Sequence, residues 1–512
     1  MPDKVALISV SDKRGIEEFV KFLISKGFRI IATSSTARFL REKGLDVEDV
    51  SSFTGFPEIL GGRVKTLHPK IHAGILARRD KKEDMAVLES EGFPPIDMVI
   101  CNLYPFEDII KQDNPVMEEV IENIDIGGPT LVRAAAKNFE HVTVIVNPDR
   151  YKDVIEELRS KGEVSLEKKR ELAVEAFEHI ARYDAIIANY LRERLTKNKF
   201  PENLVIPLEK VQPTRYGENP HQEASFYRIL PYGGGITNVE QLQGKQLSYN
   251  NILDAEAALD CLREFSEPTA VIVKHTSPCG IASATNIMDA WKRAFETDPI
   301  SPFGGIVAFN REVEEKLAEE LTKHFLEIVI APHFGKEALN VFKKKKNLRL
   351  LQVRDIYSGR GNFVYRSVNG GMLVQDKDTG EIDTSNWKVV TRKKPNKEDI
   401  ESMIFAVKCV KHVKSNAVVF VKESKTVAIG GGQTSRIDAV RVAVDKGGER
   451  IRDSIMASDG FFPFRDAIDV AADAGVRAIV QPGGSIRDKE IIEAADERGI
   501  CMVFTGQRYF RH

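Results

Sequence analysis

Short apolar runs rich in β-branched residues alternate with stretches of helical periodicity over the first two hundred positions. Val5–Val10 reads as a strand, residues 15–26 as an amphipathic helix, Phe28–Thr33 as a second strand and residues 35–43 as a second helix. Such alternation points to a parallel sheet with helices on its faces, because two parallel strands are joined only by a crossover of helix length. Further strands are predicted at Met98–Asn102 and Val142–Val146. A long helix predicted over Glu167–Leu195 aligns Leu172, Ala176, Ile180, Tyr183, Ile187 and Leu191 on one stripe and closes this domain.

The polar, proline-bearing stretch 197–203 is the expected linker, giving a first domain of residues 1–198 and a second of 199–512. The second again mixes elements, so the fold class is α/β. Thr269–Val273 reads as a buried strand, and Ser283 as the N-cap of a helix carrying Ile287, Trp291 and Phe295. The charged, turn-rich stretch 376–397 marks a subdomain boundary. No strict repeat is visible, although strand, turn and helix recur at 270–295, 426–444 and 476–496. The run Lys343–Lys346 is expected to be a solvated surface patch.

Composition narrows the functional classes. A chain of 512 residues exceeds a single ordinary core, and 42% hydrophobic content suits a folded protein. With 74 basic against 76 acidic side chains, the formal charge of -2 offers no field to hold nucleic acid or a membrane surface. Five scattered cysteines without a C-x-x-C pair suggest neither a disulfide framework nor a zinc ribbon, and fit a reducing compartment. No apolar run approaches membrane-spanning length. The expectation is a cytoplasmic protein with no nucleic-acid and no membrane partner.

Two strand-to-helix turns are crowded with hydroxyls: Ser9-Val-Ser11-Asp-Lys13, and Thr33-Ser34-Ser35-Thr36. Either could be plain helix capping. Side by side at the carboxyl ends of neighbouring parallel strands, they equally suit a phosphate held by free backbone N–H groups. Gly61-Gly62-Arg63-Val64-Lys65 puts two cations on one side of an extended chain. Tyr104, Asp125 (in Asp-Ile-Gly-Gly-Pro) and Lys137 add a phenol, a carboxylate and an ammonium, a kit able to polarise a carbonyl and move protons on a small anionic substrate.

In the second domain an apolar strand ends in Lys274-His275 and a proline-glycine turn, which sets both side chains at a strand edge. The neighbouring ammonium disfavours imidazolium and leaves His275 available as a base. Cys279 could be a nucleophile, but a small thiol in a turn usually serves packing. His221-Gln-Glu223 with Pro278-Cys279 hints at a zinc deaminase, yet Ala282 occupies the second cysteine position, so no zinc is expected. No phosphate-binding P-loop motif is present. Gly430-Gly-Gly-Gln-Thr-Ser-Arg436 and the cluster Phe461-Phe462-Pro-Phe464-Arg465 could receive a ligand backbone and a flat heterocycle, or serve as simple turns.

Taken in order, the motifs at 9–13, 61–69, 125–129, 215–222, 274–275, 415–416 and 461–465 resemble the AICAR transformylase/IMP cyclohydrolase family of bifunctional purine-biosynthesis enzymes over essentially the whole chain. The resemblance implies an N-terminal methylglyoxal-synthase-like parallel-sheet domain that closes the purine ring. After it come two cytidine-deaminase-like α/β subdomains that transfer a formyl group from 10-formyltetrahydrofolate to AICAR, giving FAICAR. It further implies a homodimer with transformylase sites between subunits, and leaves room for a monovalent cation. By motif, Ser11, Lys13 and the Thr33, Ser34, Ser35 and Thr36 turn are matched to phosphate. Arg63, Lys65, Tyr104, Asp125 and Lys137 surround ring closure. Lys274, His275 and Asn416 serve formyl transfer, with Arg215, Tyr216, Phe303, Gly304, Arg436 and Arg508 around nucleotide or folate. Two departures stand out: Ser277 occupies a position that carries Asn in the family pattern, and the acidic residue before the Ile-Ala-Pro turn reads Glu327-Ile-Val-Ile-Ala-Pro332. A nucleotide-sensing protein without turnover and a zinc hydrolase are the rival readings.

Overall fold

The computed structural model describes residues 4–358 and 363–512. They fall into two compact units, one running to Glu209 and returning for Ile229–Tyr232, the other comprising Lys210–Arg228 and Gly233–His512. The segment expected to be a linker therefore lies inside the first unit. Leu230 shows why, since it is buried in that unit's core while its N–H donates to Pro207 O at 3.0 Å.

The first unit is built on a parallel sheet of β1 (Lys4–Val10), β2 (Phe28–Ala32), β3 (Glu48–Asp49), β4 (Met98–Asn102) and β5 (Thr143–Ile145), in spatial order β3-β2-β1-β4-β5. The pleat sorts β1 cleanly: Val5 and Leu7 enter one core, Ala6, Ile8 and Val10 the other. Chain order reverses between β1 and β4, and in open parallel sheets the crevice at such a reversal is where ligands bind. The long helix spans Leu166–Leu191 and continues as a π-helical turn over Arg192–Thr196, with Leu172, Ala176, Ile180 and Tyr183 buried and Ile187 and Leu191 partly so.

The second unit is a duplication. Its twelve-stranded sheet consists of two copies of one plan: strand, helix, β-hairpin, helix, then three strands separated by two helices. The first copy runs from Glu240–Gln243 to Arg349–Gln352 and the second from Lys388–Val389 to Cys501–Phe504. The two copies meet where Ser277–Ser283 pairs antiparallel with Lys425–Gly430, and the strand orders mirror one another about that seam. One continuous apolar layer containing Val271, Val273, Val419 and Val421 underlies both copies. The opposite face divides into two clusters, around Trp291 and around Phe420.

The sequence pattern is corrected at the helix cap. Ser283 ends a strand, its Oγ 2.7 Å from Thr269 Oγ1, and the helix Ile287–Phe295 is capped instead by Asn286, whose Oδ1 accepts from Asp289 N at 2.9 Å. The second copy opens with Lys388–Val389, inside the stretch 376–397 where a subdomain boundary is expected. Among the described residues, no helix is long and apolar enough to cross a membrane.

Candidate functional sites

In the first unit a cavity of about 410 Å³ opens at the β1/β4 reversal. Asn102, the last residue of β4, shapes it. Its Oδ1 accepts from the backbone N–H of Ser11 at 2.6 Å and of Asp12 at 2.8 Å, while Nδ2 donates to Asp12 O at 3.0 Å. Ser11, Thr33 and Ser35 line the cavity, and Thr33 Oγ1 donates to Ser9 Oγ at 3.3 Å. Ser34 is tied to Glu58 at 2.6 Å. Thr36 proves structural: it is wholly buried, and its hydroxyl accepts from Val10 N at 3.3 Å and donates to Val10 O at 3.2 Å. Lys13 lies over the Phe39 ring at 5.9 Å and is not among the residues lining the cavity.

Arg63 and Lys65 both face the cavity, Arg63 paired with Glu122 and Lys65 Nζ donating to Tyr104 OH at 3.3 Å. Asp125 sits before the helix Gly127–Lys137 and accepts from Gly128 N at 2.8 Å. A side chain at 128 would approach the Asp125 carboxylate to 2.6 Å, which accounts for the Gly-Gly pair. Burial raises the Asp125 carboxyl above its usual range of 3.8. The N–H groups of Gly128 and Tyr104 and the nearby Lys65 ammonium oppose that shift. The site thus pairs an ammonium-phenol contact with a carboxyl whose proton is held more tightly than usual. Lys137 does not join them. It is exposed at the far end of the same eleven-residue helix, roughly 15 Å along the axis from the Gly127 end.

In the second unit Lys274 and His275 stand at the tip of the hairpin Thr269–Lys274/Ser277–Ser283. Lys274 Nζ donates to Phe303 O at 2.8 Å, leaving two of its three donors free for a ligand. His275 is exposed. Phe303 is exposed and packs at 4.9 Å on Phe325. Gly304, at φ 72°, donates its N–H to Phe325 O at 2.7 Å. Arg215 is exposed and stacks on Tyr216 at 5.6 Å. Glu327 is held by Asn251 Nδ2 at 2.9 Å and Arg349 at 3.4 Å. Burial pushes the Cys279 thiol up to about 12, so it is a neutral packing group and no nucleophile.

The second copy contributes a cavity of about 460 Å³ lined by Asn416, Arg436, Phe461, Phe464 and Phe510. Asn416 Nδ2 donates to Gln433 O at 3.0 Å and Thr434 O at 3.2 Å, and Oδ1 accepts from Arg436 at 2.8 Å. Only a lone pair of its amide oxygen is left for substrate. Arg436 is itself buried against Ser458 Oγ at 2.8 Å and the fully enclosed Asp459. Phe462 corrects the expectation for its cluster: at 0% exposure it belongs to the core, while its neighbour Phe461 is 44% exposed on the cavity. Arg508 is exposed and stacks on Phe510 at 4.8 Å. Because Ser277–Ser283 runs antiparallel to Lys425–Gly430, the tip of the first hairpin and the Asn416 end of the second copy share one edge of the sheet.

Comparison with known proteins gives the family. A family model described as "AICARFT/IMPCHase bienzyme" matches residues 135–446, and one described as "MGS-like domain" matches 15–130. The chain belongs to the AICARFT/IMPCHase bienzyme family. Its bienzyme match begins inside the helix Gly127–Lys137 and so spans the end of the first unit, the first copy and part of the second. Relatives over the full length include proteins called bifunctional purine biosynthesis protein PurH. That of Acetivibrio thermocellus is 53% identical over 99% of this chain and 100% of its own. That of Bacillus subtilis is 50% identical over 100% of both. A crystal structure of ForH is 39% identical, covering 36% of this chain and 97% of its own, with a TM-score of 0.34.

Several residues that shape these candidate sites carry no local signature. Asn102 ends an ordinary strand, Asp254 and Asn251 sit on a regular helix, and Asp459 follows a buried strand. Only the strand-end positions of Asn102 and Asp459 could have drawn attention to them.

Proposed function

We infer that the chain performs two consecutive steps of purine biosynthesis in separate units. The second unit transfers formyl from 10-formyltetrahydrofolate to AICAR, giving FAICAR and tetrahydrofolate, and the first closes FAICAR to IMP with loss of water. Family membership supports the pair of activities. The observation that carries the assignment of formyl transfer is the hairpin tip, where Lys274 and an exposed His275 project from one strand edge. The attacking amine is weak because its lone pair is delocalised into the neighbouring carboxamide, so a base must remove its proton as the new C–N bond forms. His275 takes that proton. Lys274, held by Phe303 O through one donor, stabilises the oxyanion of the formyl carbon or protonates the departing folate nitrogen. Asn416, fixed by Arg436, orients the nucleotide from the same edge.

Ring closure is intramolecular, so holding the reactive rotamer supplies much of the rate. Lys65 stabilises the formyl oxygen, Tyr104 and Asp125 carry protons, and the N–H groups around Ser11 and the Thr33–Ser35 turn receive phosphate. This reading includes a cytoplasmic homodimer with transformylase sites completed between subunits, and formyl transfer without zinc. A monovalent-cation requirement is tested by replacing K⁺ with choline in the assay. The deciding experiment assays the two steps separately. His275→Ala should lose formyl transfer and keep FAICAR cyclisation, and Lys65→Met should do the reverse. A variant that abolishes both steps while the protein stays folded refutes the division.

A further inference from the structure

We propose that Asp254 is a positioning residue for formyl transfer, holding the His275–Thr276 turn in the conformation that presents the imidazole. The inference rests on the role given to His275 above. The loop between Thr269–Lys274 and Ser277–Ser283 has two residues, and both have positive φ, 52° at His275 and 60° at Thr276. Two-residue hairpins of that shape favour Asn-Gly, because a left-handed conformation crowds the Cβ of an L-residue and is worst for a β-branched one. This chain places a histidine and a threonine there, so something outside the loop must hold them.

Asp254 does so from the helix Tyr249–Leu262. Its Oδ1 accepts from Thr276 N at 2.6 Å, which ties the second residue of the turn to the helix. Duplication supplies an internal comparison. The helix Lys397–Val410 has the same length and the same type of capping box, and its residue at the position of Asp254 is Ser402. In that copy the equivalent loop, Glu423–Ser424, carries no Lys-His pair, and only Glu423 has positive φ. The carboxylate and the strained histidine turn therefore occur together in one copy and are both missing from the other.

The test compares Asp254→Ala, Asp254→Asn, Thr276→Gly, the double variant Asp254→Ala/Thr276→Gly, and His275→Ala in the full chain, measuring kcat and KM for formyl transfer. FAICAR cyclisation in the same preparations serves as an internal control. Asp254→Ala should lower kcat about tenfold or more with KM for AICAR within threefold. Asp254→Asn keeps an acceptor and should lose less. Glycine at 276 adopts positive φ without crowding, so the double variant should recover most of the loss. Should Asp254→Ala stay within twofold of wild type while His275→Ala is crippled, the positioning role is wrong and the base assignment stands. No recovery in the double variant also overturns it, since a merely structural tie or a direct substrate contact is not repaired by a permissive turn. If His275→Ala itself is nearly as fast as wild type, the base assignment fails and this proposal falls with it. Where Asp254→Ala does not fold, Asp254→Asn with and without Thr276→Gly makes the same comparison.

Discussion

Replacing Arg436 with Met should destabilise the second unit far more than its loss of contacts suggests. Arg436 is buried, and it is the cation paired with Asp459, whose side chain is 0% exposed. Methionine keeps most of the volume, so the main change is a carboxylate left in the interior with only the N–H of Ala417, at 3.1 Å, and the Ser415 hydroxyl as partners. Removing one member of a buried ion pair costs about 3–5 kcal/mol. The two remaining donors argue for the lower end, about 3 kcal/mol. The first copy shows how the charge can be dispensed with: there Asn310, following the equivalent strand, accepts from Thr269 N at 2.8 Å just as Asp459 accepts from Ala417 N. Asp459→Asn should therefore rescue Arg436→Met, bringing the double variant to within about 1 kcal/mol of wild type and giving a coupling of at least about 2 kcal/mol, larger by whatever Asp459→Asn costs alone through leaving the Arg436 cation unpaired. Both tryptophans, Trp291 and Trp387, belong to the second unit, so denaturant unfolding followed by their fluorescence reports on it selectively. Single-variant costs that simply add, with coupling below about 0.5 kcal/mol, would refute the idea that the buried charge dominates. Formyl transfer should stay low in the rescued protein, because Asn416 has lost its 2.8 Å bond from Arg436.

Other outcomes follow from the same geometry. His275→Ala should reduce formyl-transfer kcat by about 10²-fold or more while AICAR still binds, checked by steady-state kinetics and calorimetry. Asp125→Asn should abolish much of the cyclisation yet stabilise the first unit. Burial raises the folded pKa above 3.8, so the carboxylate's penalty is absent in acid and grows as pH rises through and beyond that value. The melting-temperature advantage of the variant should accordingly be small near pH 4 and larger near pH 7. A fragment of residues 1–232 should cyclise FAICAR with greater thermal stability than one of 1–198, which lacks Leu230, the Val205 carbonyl bonded by Asn189 and the Glu209 partner of Arg182. Formyl transfer should survive exhaustive chelation, a result that would be impossible for a zinc hydrolase.

The alternation of strand and helix was legible in the chain because the main strands and the longest helix of the first unit carry their own period, as the two faces of β1 illustrate. Lys274, His275, Lys65 and Tyr104 could be singled out as candidates because their chemistry is concentrated at strand ends and glycine turns. The duplication was not legible in the residue pattern and was indicated only by the family resemblance, through its two like subdomains. Its copies share a plan of elements, with only three short recurrences left in the sequence. Local pattern also could not separate Phe461 from Phe462, since adjacent residues of one turn differ only in which way the backbone points them. Asp254 was invisible for a further reason: its partner is twenty-two positions away, and an acidic residue on an amphipathic helix looks like any solvated one.

The large sheet has an end at each side, and both ends are blunted in the same way. The last strands, Glu240–Gln243 and Lys388–Val389, are four and two residues long and run opposite to their parallel neighbours. An exposed strand of full length would be an invitation to a neighbouring polypeptide, through its row of unanswered amides and carbonyls. These stubs leave little to copy. A wide β-layer can thus exist at high concentration without zipping into fibrils, and lengthening either stub with β-prone residues is the change most apt to start aggregation.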